Sequence, residues 1–325
     1  MPEVTMVGAL NAALRDALAT DPKTVVFGED VGELGGVFRV TDGLQEAFGR
    51  ERVFNTPIAE AGIAGLCVGL AMAGFRPIAE MQFDAFSYPA LEQIISHVAK
   101  YRERTRGRVG LPVVIRIPSF GGIRGKEHHG ESPETYYVHT AGLKVVAPST
   151  PLDAYTLLSR AIADPDPVIF LEPKSRYWSK ETGDLVADGA PIGAARMLRE
   201  GTDCILVAYG AMVTRSLEAA TALEAEGIAC GVLDLRSLVP LDVDALVSAA
   251  RATGRVVVVH EAPRTLGMGA ELSALITEHA FRDLRAPVAR VTGYDVPYPP
   301  ASLEKRYLPS IERIADAVRR TVAFR

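Results

Sequence analysis

Short apolar runs alternate with amphipathic segments along the first half of the chain. Six runs have the length and β-branched content of buried strands; they are residues 24–28, 53–56, 75–83, 112–118, 144–148 and 167–172. Helical periodicity is found between them, at residues 60–74, 88–104 and 151–163. Apolar strands separated by helices are typical of a parallel sheet with both faces covered. The first half is therefore predicted to be an α/β domain of that kind.

A change in composition after Trp178 indicates a domain junction. Residues 179–193 are polar and contain glycines, and the alternation resumes beyond them. In this second part, strands are predicted at residues 204–210, 230–237, 255–261 and 287–293, and helices at 211–226, 242–252, 268–281 and from 309 onward. We therefore predict two domains, residues 1–190 and a smaller α/β unit of residues 191–325.

Composition and charge narrow the possible functions. The 325 residues are 48% apolar and carry a net charge of −5 without clustered Lys and Arg, so nucleic acid is not an expected partner. Cys67, Cys204 and Cys230 lie in apolar segments without disulfide or metal-ligand spacing, which predicts buried, reduced thiols. The N-terminal sequence enters an amphipathic helix capped by Thr5, without the pattern of a signal peptide. A cytoplasmic protein is expected.

Two long, glycine-rich loops follow apolar strands. Residues 28–43 leave the first predicted strand, and residues 118–134 leave the fourth. Ligands in α/β proteins bind at the carboxyl ends of parallel strands, and long loops in compact domains are usually functional. These two loops are therefore the predicted location of a ligand site.

Glu60 is the single charged residue between positions 57 and 75. The segment from Ala61 to Gly74 has no polar face, which predicts a helix buried on all sides. A carboxylate beside it is unfavourable unless something neutralises it, and no nearby Ser, Lys or Arg can do so. One interpretation is an acid that interacts with the helix dipole, worth about 0.5 kcal/mol. The other is a carboxyl group used for proton transfer.

Adjacent histidines, His128 and His129, lie in the second long loop. Neighbouring side chains of an extended loop point in opposite directions, so only one is expected to face a pocket. Glu127 and Glu131 flank the pair, but without HxxxH or CxxC spacing a metal site is not expected. General acid–base catalysis suits a histidine on such a loop; a solvated loop residue is the alternative.

Gln82, Phe86 and Glu29 are weaker candidates. Gln82 and Phe86 lie at or just past the end of a predicted strand, where they either line a ligand pocket or pack within a loop. Glu29 leaves another strand beside Asp30, where it could bind a cation, hold a loop or form a turn. A dinucleotide site is less favoured, because "LGMGAEL" (266–272) lacks the third glycine and lies away from the preceding strand.

Several long segments resemble the β subunits of thiamine-diphosphate-dependent 2-oxo acid dehydrogenases, most of all the branched-chain members. They are "FGEDVGELGGVFRVTDGL", "VFNTPIAEAGIAGLCVGLAMAGFRPIAEMQF", "HHGESPE", "HTAGLKVVAPSTPLDA", "DPVIFLEPK", "VLDLRSLVPLD", "VVVVHEAPR" and "VTGYDVPYP". They follow the family's order over essentially the whole chain. The resemblance implies a pyrimidine-binding domain followed by a transketolase C-terminal domain, both α/β.

The resemblance also implies that the active site is shared between subunits. In this family the β chain holds the aminopyrimidine end of thiamine diphosphate, and an α subunit holds the diphosphate and Mg²⁺. The family's GDG…Asn signature for magnesium and diphosphate is absent from this sequence. The expected partners are therefore an α subunit, in an α2β2 assembly, and a lipoyl acyltransferase core, with no metal ligands in this chain.

Two residues match the family's catalytic positions. Glu60 matches the glutamate that hydrogen-bonds N1′ of the aminopyrimidine and favours the imino tautomer that deprotonates C2 of the thiazolium. His129 matches the active-site histidine expected to assist proton transfer and acyl transfer to lipoamide. The residues after His129 are Gly-Glu-Ser-Pro-Glu, where the family's loop is of the Ser-Gln-Ser-Pro-Glu type.

Four further residues match positions around the aminopyrimidine and the substrate: Glu29, Ile58, Gln82 and Phe86. Phe86 stands where branched-chain members often have tyrosine. "HHGESPE" and "FLEPK" favour a branched-chain 2-oxo acid as substrate. Pyruvate and acetoin dehydrogenases remain alternatives, because one or two methylenes change recognition by only about 1–3 kcal/mol. A non-catalytic scaffold that docks the acyltransferase core and an NAD-dependent oxidoreductase are alternatives from other classes.

Overall fold

The computed structural model describes residues 2–325, and its strands follow the predicted alternation. The strands are β1 (Glu3–Thr5), β2 (Thr24–Gly28), β3 (Val53–Asn55), β4 (Arg76–Glu80), β5 (Val114–Ser119), β6 (Lys144–Val146), β7 (Val168–Pro173), β8 (Lys180–Thr182), β9 (Arg196–Arg199), β10 (Cys204–Ala208), β11 (Cys230–Asp234), β12 (Ser237–Val239), β13 (Val256–Val259) and β14 (Ala289–Val291).

Helices separate most of these strands. The α-helices are α1 (Met6–Thr20), α2 (Leu44–Phe48), α3 (Glu60–Met72), α4 (Leu91–Gln93), α5 (Tyr101–Arg104), α6 (Glu134–Val138), α7 (Pro151–Ala163), α8 (Met212–Glu224), α9 (Val243–Thr253), α10 (Met268–Ala280), α11 (Glu304–Tyr307) and α12 (Ile311–Val322). Short 3-10 helices are found at Ala85–Ser87, Lys174–Arg176 and Phe281–Asp283, and a π-helix at Ile94–Val98.

The first sheet has seven strands in the order β12-β6-β7-β5-β4-β2-β3. All neighbours from β6 to β3 are parallel, and each of the six predicted apolar runs supplies one of these strands. The edge strand β12 is antiparallel to β6 and belongs to the later part of the chain. The α/β prediction is confirmed, whereas the boundary at residue 190 stays a prediction, since residues beyond it complete the first sheet.

Helices cover both faces of this sheet because successive strand residues point to opposite sides. In β2, Val26 packs in the cluster that contains α1 and α7, and Phe27 packs in the cluster that contains α3. Helix α1 begins where the Thr5 hydroxyl accepts a hydrogen bond from the Gly8 backbone N–H at 3.1 Å, as the sequence predicted.

The second sheet has five strands in the order β14-β13-β10-β11-β9, parallel except for β9. Helices α8 and α12 pack on one face of it. Residues of α9 and α10 on the other face join the core cluster of the first sheet. The two sheets therefore share one continuous hydrophobic cluster, and the loops between them are held in a definite arrangement.

Two predictions about helices are wrong. Helix α3 is not buried on all sides: one stripe packs on the sheet, whereas Leu66 and Met72 on the other stripe are 37% and 56% exposed. An apolar composition around the whole helix does not reveal whether the same chain covers both faces. The helix predicted at residues 88–104 is interrupted, with a π-helical turn between α4 and α5.

Two further features are the state of the cysteines and the lack of a membrane-spanning helix in the described residues. All three cysteines are buried and unbonded, as predicted. No helix within residues 2–325 has the length and apolar character required to cross a bilayer.

Candidate active site

The predicted site residues follow the carboxyl ends of four adjacent strands, β3, β2, β4 and β5. The residues, in the order of those strands, are Glu60, Glu29, Gln82 with Phe86, and His129. Since parallel strands present their carboxyl ends at the same edge of a sheet, the topology places all these segments on one side of the molecule.

The backbones at this edge approach one another closely. The Thr56 N–H donates to the Gly28 carbonyl at 2.9 Å, so the segment that leads from β3 to Glu60 is bonded to the end of β2. Gly28 also pairs with Glu80 at the end of β4, and a Cβ at position 28 would overlap the Glu80 carbonyl oxygen. A glycine is required there because no side chain fits between the two strands.

Glu29 is a buried acid with unsatisfied hydrogen-bonding capacity. It is 5% exposed, and its Oε1 has no hydrogen-bond partner in residues 2–325. Burial raises its pKa, and the negative charges of Glu60 and Asp30 raise it further. The charges of Glu60 and Asp30 therefore act on Glu29, and a hydrogen-bond donor at Oε1 would satisfy the oxygen that residues 2–325 leave unpartnered.

Glu60 is the first residue of α3 and is half-buried. The described residues provide no side-chain hydrogen bond to its carboxyl group. Its position at the helix N-terminus is one that favours a negatively charged side chain, by about 0.5 kcal/mol. Ile58, which precedes this helix, is 83% exposed and offers an apolar surface at the same edge.

Gln82 connects the acidic group to the aromatic part of the site. Its Nε2 donates to Asp30 Oδ2 at 2.9 Å, which links the loop after β4 to the loop after β2. Gln82 is followed by Phe83, and Phe86 lies in the 3-10 helix that comes next. Asp84 caps that short helix by accepting a hydrogen bond from the Ala85 N–H at 2.9 Å.

His129 packs against the two phenylalanine rings. Its ring centroid lies 4.3 Å from that of Phe83 and 5.3 Å from that of Phe86, both with edge geometry. Nδ1 lies 2.8 Å from the Glu127 carbonyl oxygen, which can only accept, so Nδ1 carries the proton and Nε2 is the free acceptor. His128 is exposed and has a left-handed backbone (φ 71°), so the two histidines have different surroundings.

Sequence reasoning missed a set of buried charges beneath these loops. Arg116 of β5 donates to Glu80 at 2.6 Å and forms two hydrogen bonds with Glu172 of β7, at 2.7 and 2.9 Å. Lys174 forms a fully buried ion pair with Asp84. The available signal was a single charge inside an otherwise apolar strand, as in "PVVIRIP". Such a charge needs a partner on a neighbouring strand.

A groove of about 1000 Å³ lies elsewhere, lined by residues of α6, the edge strand β12 and α10. Its lining includes Tyr136, His139, Leu266 and Met268, and it contains none of the predicted site residues. The predicted site lies instead at the carboxyl edge of the first sheet, here called the open edge because Ile58 beside it is 83% exposed.

Two protein families match the chain. Residues 2–179 match the family described as transketolase, pyrimidine binding domain, and residues 193–314 match transketolase, C-terminal domain. Among solved structures, the chain resembles one described as "Split gene transketolase, inactive beta4 tetramer", with a TM-score of 0.80 and 27% identity over 99% of both chains.

Three curated relatives show similarity over nearly their whole length. The chain is 55% identical to "3-methyl-2-oxobutanoate dehydrogenase subunit beta" of Mycobacterium tuberculosis, over 98% of this chain and 92% of that protein. It is 52% identical to "Pyruvate dehydrogenase E1 component subunit beta" of Leifsonia xyli and 44% identical to "2-oxoisovalerate dehydrogenase subunit beta" of Pseudomonas aeruginosa. Each of the latter two matches covers 98% of this chain and 95% of the relative.

Proposed function

This chain belongs to the β subunits of the 2-oxo acid dehydrogenases, and from that premise we propose that it forms a thiamine-diphosphate-dependent decarboxylase together with an α subunit. The proposed reaction is oxidative decarboxylation of a branched-chain 2-oxo acid, followed by acyl transfer to lipoamide. The observation that carries the proposal is the Glu29 Oε1 atom, which is buried without a partner in residues 2–325, beside the open edge on which Glu60 also lies.

The residues at this edge fit the aminopyrimidine end of thiamine diphosphate. A flat ring with polar nitrogens and an amino group needs acceptors at its rim and apolar contacts on its faces. Glu29 and Glu60 supply carboxyl oxygens, whereas Ile58 and Phe86 supply apolar surface. When bound, the cofactor supplies a nucleophilic carbon and an electron sink for decarboxylation.

Glu60 has the proposed role of exchanging a proton with N1′ of the aminopyrimidine. Its carboxyl group is half-buried and makes no side-chain hydrogen bond to the residues that the structure describes, so it is free to bond a ring nitrogen. Glu29, whose pKa is raised by burial and by the charges of Glu60 and Asp30, adds a second acid to this part of the site. Positioned proton transfer of this kind contributes about 10²–10⁴-fold to a reaction rate.

His129 has the proposed role of a proton donor or acceptor toward the substrate. The hydrogen bond from Nδ1 to the Glu127 carbonyl leaves Nε2 with a free lone pair. Packing against Phe83 and Phe86 limits rotation of the imidazole and excludes water from one side of it. Both effects keep the reactive nitrogen in a fixed orientation.

We further propose that the α subunit completes the site with the diphosphate and Mg²⁺ contacts, in an α2β2 assembly that binds a lipoyl acyltransferase core. The open edge supports a second chain there, as does the exposed apolar stripe of α3. That stripe contains Leu66 and Met72, and its glycines at positions 62 and 69 allow close approach of another backbone. A cytoplasmic location is proposed on the basis of the sequence.

The proposal is tested by co-purifying the chain with an α subunit from the same genome and measuring reduction of dichlorophenolindophenol. Turnover is expected only when both chains, thiamine diphosphate and Mg²⁺ are present. With a panel of 2-oxo acids, we expect kcat/KM for 3-methyl-2-oxobutanoate to exceed that for pyruvate by about tenfold or more.

Each part of the proposal has its own contradicting result. Turnover by the isolated chain would show that the α subunit is not required. A higher kcat/KM for pyruvate or acetoin would assign another substrate to the same enzyme. Absence of turnover with every 2-oxo acid, in an assembly that binds the cofactor by calorimetry, would support the non-catalytic scaffold.

A further inference from the structure

The loop that carries His129 is closed at its base. The Phe120 N–H donates to the Glu131 carbonyl at 2.9 Å, so residues 120–131, here called the histidine loop, begin and end at one point. Its outer part, including Lys126 and Glu127, is exposed. A loop with this geometry needs further contacts to hold a side chain in a fixed place.

The second α/β unit supplies these contacts through Glu304, the first residue of α11. Glu304 is 4% exposed. Its Oε1 accepts hydrogen bonds from the backbone N–H groups of Gly122 at 3.1 Å and Arg124 at 3.0 Å. The Tyr298 hydroxyl also donates to Oε1, at 2.7 Å. One buried carboxylate therefore binds two backbone groups of a loop 180 or more positions earlier in the chain.

Two neighbouring contacts strengthen this connection. Glu261, which follows β13, accepts a hydrogen bond from the Gly121 N–H at 2.8 Å. The Tyr298 ring packs so closely on Gly121 and Gly130 that a Cβ at either position would overlap it. Gly130 directly follows His129, so the ring of Tyr298 lies beside the backbone of the proposed catalytic histidine.

We propose that Glu304 is a positioning residue that fixes the histidine loop, and thereby His129, from the second α/β unit. The inference rests on the proposed catalytic role of His129. Glu304 itself is separated from the acids at the open edge and has its hydrogen-bonding capacity taken up by the loop and Tyr298. It acts through the loop backbone and not on the substrate.

Physical reasons favour a positioning effect over a general effect on stability. Hydrogen bonds to a buried carboxylate are stronger than those between neutral groups, and their loss leaves backbone N–H groups without partners. Those unpartnered groups belong to the histidine loop, which can reach water by opening outward. A displacement of about 1 Å at a catalytic group lowers the rate by about 10²-fold.

The test compares Glu304→Ala with Glu304→Gln in the assembly with the α subunit. The amide oxygen of glutamine can still accept the bonds made by Oε1, so Glu304→Gln is expected to retain more function than Glu304→Ala. Asp242→Ala is the matched control, because Asp242 also accepts two backbone N–H bonds in this part of the chain, from Ala195 and Ala245, far from the histidine loop.

Loop opening is measured by trypsin cleavage after Arg124 and Lys126, with the fragments identified by mass spectrometry. For Glu304→Ala we expect cleavage at these positions to be about tenfold faster or more, with an unchanged rate in Asp242→Ala. In the same preparations, kcat is expected to fall about 10–100-fold for Glu304→Ala, with KM changed less than about threefold.

A double variant separates this inference from the proposed function. If Glu304 acts through His129, Glu304→Ala adds no further loss of kcat in a His129→Ala background. Full activity of His129→Ala alone would refute the catalytic role of the histidine and this inference with it. Loss of activity in His129→Ala, together with unchanged cleavage or unchanged kcat in Glu304→Ala, would refute only the positioning role. If Glu304→Ala does not fold, the cleavage rate and the kinetic constants are measured in Glu304→Gln and Tyr298→Phe instead.

Discussion

The two sheets of this molecule present similar chemistry at their carboxyl ends, with different surroundings. At the first edge, Glu29 and Glu60 lie beside an open surface, and the described residues leave Glu29 Oε1 unpaired. At the second edge, His260 and Glu261 follow β13 and are buried; Glu261 binds the histidine loop of the first domain, and His260 packs beside Gly267 and Gly269 of its own unit. Both edges carry acids and a histidine, but one is open and the other is filled by the same chain.

This difference shows that a carboxyl edge of an α/β sheet is a ligand site only where the chain leaves it open. The second edge has become an internal contact. Tyr209, after β10, donates to Glu134 at 2.5 Å, and Glu261 binds the histidine loop. Among the described residues, Glu261 there binds a loop of the first domain, and the unpaired Glu134 Oε2 is fully buried, whereas the unpaired Glu29 Oε1 lies next to the open edge.

Substitution of Glu60 is expected to have the largest effect on turnover. Glu60→Gln in the assembly with the α subunit is expected to lower turnover about 10³-fold, because an amide cannot exchange the required proton. The thermal midpoint of the chain should stay within about 2 °C, since the Glu60 carboxyl group makes no side-chain hydrogen bond to the described residues. Dye reduction and differential scanning calorimetry check the two halves of this prediction. Near-normal turnover would remove Glu60 from the mechanism.

A pair of histidine variants compares the two edges directly. His129→Asn is expected to lower turnover about 10²-fold, because the side chain loses the imidazole that transfers a proton. His260→Leu should leave turnover within about threefold, since His260 is fully buried and His260 Nδ1 and Nε2 have no hydrogen-bond partner in residues 2–325. Steady-state kinetics with a 2-oxo acid substrate measure both. Equal losses in the two variants would show that the second edge also contributes to the reaction.

The filled second edge is expected to make the free energy of unfolding depend on pH, an effect smaller than the losses of turnover described above. Burial raises the pKa of Glu134 from 4.5 to about 7 in the folded protein. Because the unfolded chain releases this proton at a lower pH, the stabilising contribution is present below about pH 4.5 and is lost as the pH rises through about 7. Glu134→Gln cannot ionise and should therefore gain about 2 kcal/mol relative to the native chain between pH 5 and pH 8.

Urea unfolding at the two pH values measures this gain. Asp242→Asn is a suitable control, since Asp242 is a helix-capping acid whose hydrogen bonds come from Ala195 and Ala245 and not from Tyr209. If the difference in the free energy of unfolding between Glu134→Gln and the native chain stayed constant over this range, the ionisation of Glu134 would not change on unfolding. Burial also lowers the pKa of His260 to about 4. The buried neutral imidazole therefore contributes stability that is lost as the pH falls below about 6.5, where the unfolded chain takes up the proton.

Sequence reasoning was sufficient for the parallel strands β2 to β7 of the first sheet and for the segments that meet at the open edge, but it missed the short strands β1, β8 and β9. Apolar runs and helical periods are local signals, and parallel topology then places Glu29, Gln82 and His129 at one edge. The exposed stripe of α3 was not predictable in the same way, because its residues are apolar on both sides. Only the arrangement of the sheet determines which stripe the chain covers.

Contacts between residues far apart in the chain could not be predicted from the local sequence pattern. Glu304 lies in "LEKRY", which reads as an ordinary exposed helical turn, yet it is buried against a loop 182 residues earlier. The edge strand β12 was likewise missed, since Ser237–Val239 pairs with β6 of the other sheet. Such pairings depend on how the two sheets pack, and neither composition nor periodicity encodes that packing locally.

The smallest expected effect concerns substrate choice at the open edge. The ring of Phe86 lies 5.6 Å from Phe83 and 5.3 Å from His129, so a hydroxyl at its tip would change the polarity beside the proposed substrate position. Phe86→Tyr is expected to change the ratio of kcat/KM for 3-methyl-2-oxobutanoate and pyruvate by less than about tenfold, because single contacts in an apolar pocket discriminate weakly.

Phe281→Tyr is the matched control for this change. Phe281 is 70% exposed in a 3-10 helix of the second α/β unit, so the added hydroxyl meets solvent there and the substrate ratio should stay constant. Kinetics with both 2-oxo acids, done in parallel, give the two ratios. If Phe86→Tyr left the ratio as unchanged as Phe281→Tyr does, the substrate would have to be recognised away from Phe86. The side chains that select it would then belong to the α subunit's part of the site, and the open edge would hold the cofactor alone.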